Sequence, residues 1–176
     1  MSPVSPFELV PSVLLSTLMG TFSIVDAGVA WRACGGADKE LEMATLYFGV
    51  PIPIVQPIKM IVGPAILLLI PKIIVEDVLP LKRGVANKLP HIYGCLHFLP
   101  ILSIFFLVPA VIGPAQIAHT RGLQVADVRQ LRSANLALVF VCAVVVVLSA
   151  LQVRAKRDAA TRSGPKYSLM PTSENP

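Results

Sequence analysis

An apolar stretch interrupted by five prolines and one lysine, Pro51-Ile-Pro-Ile-Val-Gln-Pro57-Ile-Lys59-Met-Ile-Val-Gly-Pro64-Ala-Ile-Leu-Leu-Leu-Ile-Pro71, sets the strongest limit on how this chain can fold. Interior prolines remove helix hydrogen bonds, and a lysine at membrane depth is costly, so a passive lipid-facing span is expected to carry neither. Pro57, Pro64 and Pro71 fall seven residues apart and therefore lie along roughly one face of a helix. That face is expected to turn toward other helices, because only packed neighbours can satisfy the freed backbone groups.

Composition places the segment in a membrane protein. Hydrophobic residues make up 55% of the chain, charged residues only 14%, and mean hydropathy is +0.73. Soluble domains carry about 25% charged residues, so the deficit points to a bilayer as solvent. The 176 residues suffice for four spans, at roughly 20 residues each with short loops between them. The spans are expected at about 9–31, 54–75, 92–118 and 134–151. The fold class is therefore all-α: a polytopic, up-and-down bundle of four transmembrane helices, the second and third proline-kinked. Residues 154–176 follow as a basic, then polar, disordered tail. The N-terminus has no basic region before its apolar run, so the first segment reads as a retained span and not a cleaved signal. Cys34, Cys95 and Cys142 show neither zinc spacing nor a disulfide framework.

Basic residues orient the bundle. Nine of them (Lys72, Lys82, Arg83, Lys88, Arg154, Lys156, Arg157, Arg162 and Lys166) fall on one side of the expected topology. Six (Arg32, Lys39, Lys59, Arg121, Arg129 and Arg132) fall on the other. The positive-inside rule then favours both termini in the cytosol. An integral, multi-pass location in the endoplasmic reticulum or another endomembrane is expected. The net charge of +5 reports topology and attraction to anionic lipid, not nucleic-acid binding.

In that topology every span contributes a hydrogen-bonding side chain to one layer near the non-cytosolic end. Asp26 comes from the first span, Gln56 and Lys59 from the second, Gln116 and His119 from the third, Arg132 and Asn135 from the fourth. An acid as deep as Asp26 needs a partner, and Lys59 is the expected one. Asp26, Lys59 and His119 are the candidate catalytic residues, Asp26 or His119 accepting a proton and Lys59 holding negative charge. Gln56, Gln116, Arg132 and Asn135 are candidate substrate contacts. A second polar group is expected at the opposite end, where Tyr93 and His97 share a face near Glu76 and Asp77; these two are further substrate-contact candidates. Two stripes, Ser12-Ser16-Gly20-Ser23 and Asn135-Cys142-Ser149, are expected to be helix contacts. His91 and His97 are six apart, and His119 lies about 42 Å from His91 along a helix, so no three-histidine metal site is expected.

Hydrolase, metalloprotease, phosphate-loop and dinucleotide motifs are missing, so no cofactor is expected. Two segments, Pro109-Ala-Val-Ile-Gly-Pro114-Ala-Gln116 and Arg129-Gln-Leu-Arg132-Ser-Ala-Asn135, cover the end of the third span and the start of the fourth. Together with the four-span layout they resemble small four-helix membrane proteins of the anthrone oxygenase-like group, which tailor fungal polyketides. Where that group has an asparagine after the third-span proline, this chain has Ala115-Gln116. The resemblance implies cofactor-independent oxidation of an activated aromatic carbon by molecular oxygen, in secondary metabolism.

The leading expectation is an oxidoreductase-like or acid/base enzyme, embedded in the membrane, that modifies a small lipophilic metabolite entering from the bilayer. The same kinked spans and small-residue stripes suit a non-catalytic accessory or assembly protein. Its partners would be the lipid bilayer and either further copies of the chain or a larger membrane complex.

Overall fold

The computed structural model describes residues 10–49 and 68–162, with residues 61 and 65 as isolated positions between them. Most of the expected second span, with Gln56, Lys59, Pro57 and Pro64, lies outside the described residues, as does the end of the chain from residue 163. The described residues are helical, with no strand among them.

Helix α1 (Val10–Ala33) is a run of apolar and small residues. It stops where Gly35 and Gly36 follow, Gly36 taking a φ of 76° that favours glycine. Helix α2 (Asp38–Gly49) then starts with Asp38 and Glu40 in its first turn, where carboxylates complement the helix dipole. This helix occupies much of the stretch expected to be a polar loop. Helix α3 (Leu69–Ile73) continues into a π-helical turn (Ile74–Val78) and then α4 (Leu79–Lys82). Helix α5 (Leu89–Leu96) has Pro90 in its first turn, where the missing N–H costs nothing.

The expected third span is divided at His97, after which α6 (Phe98–Arg121) begins. Pro100 explains the break, because it has no N–H to donate to the Leu96 carbonyl one turn back. Pro109 and Pro114 lie within α6, which ends at Gly122 with a φ of 77°. Helix α7 (Val125–Arg162) is capped by Asp127, which accepts the Gln124 N–H at 2.9 Å. It runs well past the end expected at 151. Residues 154–162, expected to be part of a disordered tail, are instead helical. Alanine, lysine and arginine are strong helix formers, and extending an existing helix needs no new nucleus.

Three helical stretches, Val13–Ala33, Leu89–Ala118 and Val125–Arg162, are long and apolar enough to cross a membrane. In α7, residues 133–153 carry no charge, a run of about 30 Å that matches the hydrocarbon core.

The core is built on one edge of α7. Val128, Leu131, Asn135, Leu138, Cys142, Val145, Ser149 and Gln152 are all buried and follow one another at alternating steps of three and four. Such a pattern keeps one seam facing a partner helix. The partner is α1, whose Ser16, Met19, Ser23 and Ala30 are buried to the same degree. The two helices are antiparallel, with Gly20 beside Cys142 and Trp31 over Arg132. Ser16, Gly20 and Ser23 of the first expected stripe, and Asn135, Cys142 and Ser149 of the second, thus lie at helix contacts. A Cβ on Gly20 would lie 3.4 Å from the Cys142 Cβ, whereas one on Gly28 would meet nothing within 4 Å. Gly20→Leu is therefore expected to lower stability by about 1–3 kcal/mol, with Gly28→Leu close to wild type. Thermal unfolding of the two variants in mild detergent measures the difference.

Candidate functional site

The structure gathers its buried polar side chains at two ends of the α7 seam. From Asn135 to Ser149 the helix advances about 21 Å, so the two groups lie near opposite faces of an apolar slab.

At the α5 end the organising residue is Asp77, only 4% exposed. The π-helical turn adds a residue to the helix and turns Asp77 inward, while its neighbour Glu76 stays exposed. A buried carboxylate is costly unless hydrogen-bonded, and three contacts satisfy this one. His91 donates from Nδ1 to Oδ1 at 3.2 Å, and Gln152 donates from Nε2 to Oδ1 and Oδ2 at 3.2 and 3.3 Å. Gly94 lies directly against the carboxylate, in a place where any Cβ would collide with it.

One turn along α5, His97 makes a second arrangement. The break before Pro100 leaves the His97 N–H on the Gly94 carbonyl at 3.1 Å and the Tyr93 carbonyl open to the ring. The ring Nδ1 bonds that carbonyl at 2.8 Å, and Nε2 meets Ser149 Oγ at 3.0 Å. A carbonyl only accepts, so Nδ1 carries the proton, and in the neutral ring Nε2 accepts from the serine. Ser149 and Gln152 lie three residues apart on α7, so the two arrangements share one helix turn.

Between them opens a cleft of about 40 Å³. Leu69, Ile73 and Ile101 form its apolar wall. Asp77, His97 and Gln152 line its depth, with Lys72, Glu76 and Lys156 on the remaining side. Lys72 lies 3.9 Å from Glu76 across one helix turn. Asp77 is in the wall, where its carboxylate can accept a proton from a group in the cleft, and its partner His91 is one-fifth exposed.

The other end holds part of the layer expected from the sequence. Asp26 is buried, and its partner here is Tyr47 of α2, whose hydroxyl donates to Oδ1 at 3.0 Å. The expected partner Lys59, like Gln56, lies outside the described residues. Burial, and then the Asp26 charge and the hydrogen bond to it, push the Tyr47 phenol above its ordinary range. Thr45 accepts the Leu123 N–H at 3.1 Å, which ties α2 to the turn between α6 and α7. Arg132 lies 4.8 Å over the Trp31 ring. Asn135 is fully buried at about the level of Asp26, its amide donating to the Leu131 carbonyl at 2.9 Å. The Gln116 side chain is exposed. His119 sits near the C-terminal end of α6.

The expected second polar group is thus the more elaborate of the two. His97 belongs to it, whereas Tyr93 contributes its carbonyl. Sequence reasoning passed over Tyr47, His91, Gly94 and Gln152. The three-residue step from Ser149 to Gln152 was the available signal, since it continues the Asn135-Cys142-Ser149 stripe. Among the described residues no group of three or more His, Cys, Asp or Glu side chains converges as metal ligands would. No protein-family model, curated protein or solved structure matches this chain.

Two outcomes test these contacts. Gly94→Ala forces the Asp77 carboxylate out of place and is expected to cost about 1–3 kcal/mol in thermal unfolding. The Tyr47 hydroxyl titrates higher folded than unfolded, so its contribution is fully present below pH ~10 and declines above it as the unfolded chain releases the proton first. Melting temperature should therefore fall more steeply between pH 9 and 11 (roughly spanning the unfolded phenol value) in wild type than in Tyr47→Phe.

Proposed function

We propose that the chain is a multi-pass membrane enzyme that transfers a proton to or from a small lipophilic metabolite at the Asp77 cleft. The observation that carries this reading is a buried carboxylate in the wall of a cleft, held by an imidazole that reaches the surface. Asp77 accepts the substrate proton, His91 holds the carboxylate through its Nδ1–H, and Lys72 and Lys156 hold negative charge that develops on the substrate. Gln152 and Gly94 position the carboxylate. The His97–Ser149 pair keeps the adjoining wall in register.

In the same reading the residues between α2 and α3 form a fourth span, the prolines of the second and third spans kink them, and both termini face the cytosol of an endomembrane such as the endoplasmic reticulum. The cleft then lies at the cytosolic interface, because Gln152 is near the end of the charge-free run and Lys156 is one turn beyond it. Asp26, bonded to Tyr47, serves to hold α2 on the bundle.

The test compares lipid extracts of membranes carrying the wild type or Asp77→Asn. Products made by the wild type should fall at least 100-fold in Asp77→Asn, with both proteins accumulating equally. Identical metabolite profiles, together with stoichiometric co-purification of a larger complex in mild detergent, would favour the accessory reading instead.

A further inference from the structure

We propose that the cleft binds the anionic head of a lipid-tailed molecule, whose tail stays in the bilayer. This rests on the cleft being a binding site, and it names the class of molecule that enters.

Size comes first. The cleft measures about 40 Å³, whereas a cavity that admits a single benzene ring is about 150 Å³. Only the end of a larger molecule fits. The rest has to lie outside, and the exposed apolar surface continuing from the wall suits it: Leu68, next in the chain to Leu69 of the wall, is 75% exposed. An alkyl or prenyl chain can run along that surface into lipid.

Charge selects the head. The elements around the cleft, residues 72–91 and 153–162, carry eight basic residues against three acidic ones. The opposite end, residues 26–42 and 121–132, carries five of each. The surplus that gives this chain its basic character among the described residues therefore lies wholly at the cleft end. Two of those cations, Lys72 and Lys156, are in the cleft lining itself. The lining also holds two acids, Glu76, 3.9 Å from Lys72, and Asp77, which takes hydrogen bonds from His91 and Gln152. The surrounding segments therefore supply the net positive charge of this end, and a carboxylate or a phosphate monoester answers it.

The experiment uses the full chain, purified in neutral detergent, with three probes of one chain length: oleic acid, 1-oleoyl-lysophosphatidic acid and oleyl alcohol. At least one anionic probe should bind ten-fold or more tightly than the alcohol at low salt, and the stronger of the two identifies the head as carboxylate or phosphate. Lys72→Gln and Lys156→Gln should each weaken that binding by about five-fold, while Arg129→Gln at the far end leaves it unchanged. Single variants keep the test open if the double variant does not fold. Asp77→Asn should bind the anion at least as well as wild type, which separates loss of binding from loss of proton transfer. Oleyl alcohol binding as tightly as both anions, or lysine variants binding like wild type, would overturn the proposal.

Discussion

The buried edge of α7, stepping from Val128 to Gln152, is the surface on which α1, α5 and α6 close. In lipid there is no hydrophobic gain from bringing helices together, so close approach and satisfied polar groups have to hold them. Both are present on this edge. Gly20 permits α1 to approach Cys142, while Ser149 bonds His97 and Gln152 bonds Asp77 across helices. A change in the register of α7 would move all of these at once.

The two ends of that edge hold their buried acids differently. Near Asn135 the acid Asp26 is held by a phenol, charges balance, and a short helix folds over the end. Near Gln152 the acid Asp77 is held by an imidazole and an amide, a cleft opens, and basic residues dominate. A phenol that titrates high keeps its proton and acts as a structural donor. What distinguishes the Asp77 end is a cleft with a buried carboxylate in its wall.

Residue type and spacing made several of these features legible. The burial of Asp26, the burial of Asn135 and the nearness of His97 to Asp77 are consistent with span order and helical periodicity. Other features were hidden because they depend on local departures from regular helix. Asp77 faces the bundle through a π-helical turn that no composition rule marks, and the Tyr93 carbonyl is open only because Pro100 breaks the helix after it. Tyr47 was overlooked because the stretch before it has no apolar run, although Asp38 and Glu40 do mark a helix start. The basic stretch after Gln152 reads as a solvated tail when charge alone is considered, yet its alanines continue α7.

Hydropathy and helical periodicity are properties of a chain taken a few residues at a time. The sequence by itself therefore determined an all-helical protein with apolar helices of membrane length and small residues on their contact faces. The pairing of polar groups is not local: Asp77 meets Gln152 across 75 positions, and His97 meets Ser149 across 52. Only the tertiary structure decided that Asp77 sits in a cleft while Asp26 sits against Tyr47, because helix register and one widened turn, not residue type, choose the partner of each buried acid.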